Sequence, residues 1–196
     1  MRRLNRIAAA VPMMLISTVA LAQPGTLPRW SAEVSGDAAF PTRTLAGADL
    51  QTGGGFGANV RVRLQPHLAA YAGWEWHMQQ TKQLLPGETL DLNDNGYTFG
   101  LRFEHPIVGT TKGWLRAGGL YDHIEVENAD GKTIHDSGHG LGWEGGAGFT
   151  LPLGTRFALT PGVRYRELSR DITVGGRTRS STLSYVTTGV GVAFSF

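Results

Sequence analysis

The chain contains no cysteine. Neither a disulfide framework nor a lipid-modified cysteine is available to it, so an exported form has to be held together, and held in place, by its fold. After residue 22 no stretch approaches the ~18 consecutive apolar residues of a membrane helix, which excludes helical spans from the body of the chain. An excess of positive charge is missing too. Three of the eighteen Lys and Arg are Arg2, Arg3 and Arg6, which leaves fifteen against sixteen Asp and Glu elsewhere. A nucleic-acid partner loses its electrostatic basis. Gly53-Gly54-Gly55 is not followed by Lys-Ser/Thr, so there is no phosphate-binding loop.

What is present begins with a leader. Arg2, Arg3 and Arg6 precede an apolar stretch from Ile7 to Ala22 that is broken by Pro12 and ends in Ala20-Leu21-Ala22. This pattern predicts a signal peptide over residues 1–22, cleaved before Gln23, and one domain over 23–196 that enters the periplasm.

In that domain the dominant signal is a period of two. Eight segments alternate apolar residues with small or polar ones: Arg29–Phe40, Gly55–Leu64, Leu68–Gln79, Gly96–His105, Gly113–His123, Gly140–Leu151, Arg156–Glu167 and Leu183–Phe196. About ten residues rising ~3.3 Å each, at a 45° tilt, match the apolar band of a membrane barrel. Short connections (65–67, 105–112, 152–155) alternate with longer polar ones (41–54, 81–95, 124–138, 168–182). The expected fold is all-β: an eight-stranded antiparallel up-and-down transmembrane β-barrel. Its outward aromatics divide into two candidate interfacial girdles. Phe40, Phe56, Trp74, Trp76, Tyr97, Phe99, Tyr121, Trp143 and Tyr165 fall toward the longer loops, and Trp30, Phe103, Phe149, Phe157, Phe194 and Phe196 toward the short turns.

Three motifs carry a family resemblance: Gly142-Trp143-Glu144-Gly145-Gly146-Ala147-Gly148-Phe149, Pro161-Gly162-Val163-Arg164-Tyr165-Arg166, and the final Gly189-Val190-Gly191-Val192-Ala193-Phe194-Ser195-Phe196. With these the mature chain resembles the small outer-membrane barrels of the OmpA/OmpX and opacity-protein type. The resemblance implies the outer membrane of a Gram-negative bacterium and contact with its lipid and lipopolysaccharide. It also implies recognition of the C-terminal strand, ending in Phe196, by the assembly machinery. It identifies an architecture better than a task.

Strand parity points Glu33, Asp37, Glu75, Glu104, Asp122 and Glu144 inward, opposite Arg61, Arg63, Arg102, Arg116, Arg164 and Arg166, with His77 and Tyr71 beside them. Eight strands enclose a lumen that side chains just fill. Buried charge is tolerated when paired, so the expectation is a plug rather than a pore, with a narrow ion pathway as the alternative.

Two local patterns suggest chemistry. His135-Asp136-Ser137 has the His-x-Ser spacing of the barrel lipid A 3-O-deacylases, but a triad needs a third group that orients the base. Glu144, the nearest downstream carboxylate, points into the lumen. His123, His135, Asp136 and His139 could gather at the third long connection as a metal site, with His135 and His139 at an i, i+4 spacing, but Gly138 and Gly140 argue against the helix that would put them on one face. Solvated side chains are the expectation, and no metal or other cofactor is expected. Asn93-Asp94-Asn95-Gly96 lacks the later Glu of a calcium loop and reads as a turn. The expected function is therefore non-enzymatic: an envelope scaffold whose extracellular loops contact a surface or ligand. A narrow channel or transport barrel for small solutes is the alternative, and a deacylase-like hydrolase the third reading.

Overall fold

The alternating segments are extended throughout. The computed structural model describes residues 28–45, 49–81, 90–128, 130–174 and 177–196, and the expected leader lies outside them. In chain order the strands are β1 (Trp30–Pro41), β2 (Gly53–Gln65), β3 (Leu68–Thr81), β4 (Leu90–Val108), β5 (Thr111–Glu127), β6 (Thr133–Asp136), β7 (Gly140–Leu153), β8 (Phe157–Val174) and β9 (Arg177–Ser195). Eight of them form an antiparallel ring, β1-β2-β3-β4-β5-β7-β8-β9, closed by the β1–β9 ladder that runs from Ser31↔Ser195 to Pro41↔Tyr185. Closure pairs the edges that an open sheet would leave to lipid. The short β6 stands outside the ring, paired to the end of β5. At the turn end, Gly109 (φ 57°) and Gly154 (φ 85°) supply left-handed backbone to two of the three tight hairpins, β4–β5 and β7–β8.

Three of the expected loops are too long. The region 168–182 is a hairpin whose ladder continues from Leu168↔Leu183 to Val174↔Arg177. β4 begins at Leu90 rather than Gly96, β5 continues to Glu127, and β6 occupies part of the expected loop 124–138. The cause is a change of hydrophobic phase. In the lower barrel the apolar residues point outward: Leu115 and Tyr121 on β5, Phe103, Phe99 and Tyr97 on β4, Val163 on β8 and Val190 on β9 are all exposed. Above Tyr97 and Tyr121, which are Cα partners, the apolar residues take the opposite parity and point inward. Leu90, Leu92, Ile124, Val126, Leu183 and Tyr185 form one buried cluster with Ala39 and with Leu45 from the β1–β2 connection. A search for outward alternation stops where the phase inverts, although the backbone ladder continues.

The inversion marks a change of solvent. A large exposed apolar surface is incompatible with water but suits hydrocarbon, where a closed barrel satisfies its backbone internally. Above it the barrel wall has the polarity of a soluble protein. The ring therefore crosses a membrane with its lower part and stands in water with its hairpin end.

Candidate functional site

Starting from the turn end, the lumen fills in layers. In the lowest layer Arg61 Nη2 lies 3.2 Å from Glu33 Oε2 and Arg61 Nη1 3.6 Å from Glu104 Oε1. Arg102 Nε reaches Glu104 at 2.8 Å. Asn59 and Thr160 donate to the two oxygens of Glu33 at 3.3 and 3.0 Å. Trp114 lies across this layer, with the Arg102 guanidinium 4.5 Å from its ring centroid and its indole N–H donated to Phe149 O at 3.0 Å. Gly148 and Gly162 make room for it, since a Cβ on either would come within 2.5 or 2.2 Å of the indole.

In the middle layer Glu75 receives Arg164 and Arg166, and Arg164 also reaches Asp37 at 2.6 Å. Glu144 receives Arg116, the Tyr71 hydroxyl at 2.7 Å and the Thr98 hydroxyl at 2.6 Å. The Arg116 guanidinium sits 4.1 Å from the Tyr71 ring centroid. In the upper layer Arg166 bonds Asp122 at 2.7 Å, Asp94 lies 3.9 Å from the same nitrogen, and the Tyr185 hydroxyl donates to Asp94. Arg166 Nη1 also faces His77 Nδ1 at 3.3 Å. A guanidinium only donates, so Nδ1 is the acceptor, and the other ring nitrogen, Nε2, lies 3.1 Å from Asp37 Oδ1. The apolar cluster closes the lumen above.

The structure thus brings together Glu33, Asp37, Arg61, Glu75, His77, Arg102, Glu104, Arg116, Asp122, Glu144, Arg164 and Arg166. It leaves out Arg63, which is half-buried at the turn-end mouth, beside the register shift between Arg63 and Gln65, with no ion pair among the described residues. It adds Asp94, expected in a turn, together with Trp114 and Tyr185. The parity of the expected strands already placed Trp114 and Tyr185 inward, and Asp94 follows once β4 is drawn from Leu90. A cavity among Glu33, Arg102, Trp114, Arg116, Thr160 and Arg164 has a volume of about 30 Å³, on the scale of an ordered water molecule.

On the outer surface the aromatics gather in two groups. Toward the hairpin end Phe56 meets Trp74 and Trp76 at 5.7 and 5.5 Å, and Trp143 meets Tyr165 at 5.1 Å. Their polar atoms are bonded: Trp74 N–H to Asn95 at 2.7 Å and the Tyr165 hydroxyl to Glu167 at 2.7 Å. Such rings suit a boundary where one end is apolar and the other wet. Phe40, Tyr97, Phe99 and Tyr121 are exposed on the same side. Toward the turns, Phe194 meets Phe157 at 5.1 Å in a tilted pair and stacks with Phe196 at 5.9 Å, while Trp30, Phe103 and Phe149 are exposed.

The His-x-Ser pair does not assemble as a dyad. The Ser137 hydroxyl accepts the Ile124 N–H at 2.9 Å and donates to Gly138 O at 3.1 Å. His135 Nε2 is directed at Asp171 O, 3.4 Å away, and Glu144 is buried in the lumen with Arg116. Of the four residues expected to gather at the third loop, His123 and His139 come together, with Nδ1 and Nε2 3.2 Å apart, and Asp136 lies near His123.

No protein-family model and no curated protein matches the chain. Solved structures do. Neisserial surface protein A, NspA, superimposes with a TM-score of 0.61 at 14% identity, over 85% of this chain and 96% of that one. The fold is that of a small outer-membrane β-barrel. The outer membrane protein OprG from Pseudomonas aeruginosa gives a TM-score of 0.55 at 16% identity, over 87% of this chain and 97% of that one.

Proposed function

We propose that this chain is an integral protein of a Gram-negative outer membrane, reached through the periplasm after removal of residues 1–22. In this reading it works without catalysis or conduction, as a closed scaffold that presents its hairpin end to surfaces or ligands outside the cell. The observation that carries the reading is the filled lumen: seven carboxylates and five guanidiniums in linked ion pairs, an apolar cap above them, and a cavity of about 30 Å³ between. Binding then belongs to the exposed hairpins, which a rigid wall positions. Lipid and lipopolysaccharide contact the apolar belt, and the strand ending in Phe196 engages the assembly machinery.

Planar-bilayer recording tests the closed state. The expected trace is silent at moderate voltage, and stable, frequent single-channel openings would replace this reading with the channel alternative. Chains with a shortened β5–β6 or β8–β9 hairpin that still fold are expected to lose adhesion or serum resistance while envelope integrity is kept. Unchanged lipid A acylation on expression separates the scaffold from a hydrolase.

A further inference from the structure

The hairpin of β5 and β6 gathers ligating groups that neither the lumen nor the membrane belt uses. His123 and Glu125 are two residues apart and share the outward face of β5, just above Tyr121. Asp136 on β6 is the direct cross-strand partner of Glu125. One ligand atom from each of His123, Glu125 and Asp136 lies within 4.8 Å of the others, and His123 Nε2 is 3.3 Å from Glu125 Oε1. Like charges directly opposite in an antiparallel pair repel. Here the ladder holds two carboxylates in that position, with an imidazole nitrogen turned toward them.

The second nitrogen of His123 is engaged as well. Nδ1 faces His139 Nε2 at 3.2 Å, and the two rings are 4.3 Å apart. A metal-binding imidazole typically gives its other N–H to an orienting acceptor, which sets the tautomer and the ring angle. The local chain is shaped for this. Gly138 adopts φ 67° and turns the backbone so that His139 returns toward β5. The amide of Gly138 donates to the Asp136 carboxylate at 2.8 Å, and the Tyr121 ring backs His139 at 5.2 Å. His135 faces β8, and Glu125, unremarked in the sequence, completes the group.

We propose that His123 Nε2, Glu125 and Asp136 bind a divalent transition-metal ion, with His139 as a positioning residue on His123 Nδ1. One imidazole with two carboxylates favours Zn²⁺ and its neighbours over Mg²⁺ and Ca²⁺, which prefer sites built from oxygen alone. Three protein ligands leave a further coordination position open. Bound metal cancels the repulsion between Glu125 and Asp136 and ties β6 to the barrel wall.

The test is calorimetric titration of Zn²⁺ into the untagged chain folded in detergent, with Mg²⁺ and Ca²⁺ in excess. His67 and His105, whose rings lie 5.2 Å apart at the turn end, are replaced by Ala so that they do not contribute. One ion per chain is expected. His123→Ala should abolish binding, and His139→Ala should weaken it by about 10- to 100-fold, the usual range for an outer-shell partner. His139→Gln, whose amide oxygen still accepts the N–H, should recover most of the loss, which a merely structural role would not predict. If His123→Ala fails to show the heat-modifiable mobility of a folded barrel, Glu125→Gln with Asp136→Asn decides in its place. Absence of one-to-one binding, or affinity unchanged in these variants, overturns the proposal, and full competition by Mg²⁺ or Ca²⁺ overturns the transition-metal assignment.

Discussion

The same eight strands build two interiors of opposite chemistry. Up to the level of Asp94 and Asp122, just above Tyr97 and Tyr121, the lumen is a lattice of guanidiniums and carboxylates; toward the hairpin end Leu90, Leu92, Ile124, Val126 and Leu183 fill the lumen inside a polar wall. The ring and its parity are continuous, so neither strand number nor register separates the regions. What differs is the solvent outside. Where the wall faces hydrocarbon, the outward positions must be apolar, and a narrow lumen can be filled by polar side chains provided every charge finds a partner. Where the wall faces water, the hydrophobic effect again favours apolar residues inside. The hairpin end is therefore a short water-facing barrel standing on a membrane barrel, where the sequence led to longer polar loops at 124–138 and 168–182.

Breaking the charged lattice should have the largest effect. Arg166 touches Glu75, Asp122 and His77, and Arg166→Ala strands the carboxylates around it, at a cost of about 3–5 kcal/mol. Guanidinium unfolding in phospholipid vesicles measures this, and a loss below about 1 kcal/mol would mean that the lattice fills space without holding the barrel. The phase inversion is tested by placing one side chain at two heights on one strand. Val163 and Asp171 both point outward on β8 and are exposed, on opposite sides of the boundary. Val163→Arg is expected to cost about 2–4 kcal/mol in a bilayer, and Asp171→Arg to stay within about 0.5 kcal/mol. Equal costs would place the boundary elsewhere. The smallest of the destabilising changes is Ile124→Val, which removes one methylene from the apolar cap and should cost about 0.5–1.5 kcal/mol. Hydrogen exchange should localise that loss to the ends of β4, β5 and β9, leaving the membrane ladder protected.

Much of the architecture was legible because the membrane enforces a period of two that short segments display openly. Phe99, Leu101 and Phe103 on β4, or Val190, Val192 and Phe194 on β9, reveal strand and outward face together. The inward charges followed from the same parity, and eleven of the twelve predicted carboxylates and arginines lie in the lattice described above, the exception being Arg63 at the open mouth. Less legible were the strand ends. Leu90 and Leu92 precede Tyr97 at the opposite parity, and Ile124 and Val126 follow Tyr121 in the same way, so a search for one continuous apolar face reads them as loop. The sites on the hairpins were hidden for another reason: Glu125 and Asp136 are eleven residues apart in the chain and become partners only through the β5–β6 ladder.

By itself, the amino-acid order determined the closed all-β architecture and the sense of each strand, because alternation and turn chemistry are local and the bilayer demands both. Only the tertiary structure decided which charges meet, where the barrel leaves the membrane, and which of the loop histidines share a neighbourhood. Those outcomes depend on register between strands and on the width of the lumen, which arise when the ring closes.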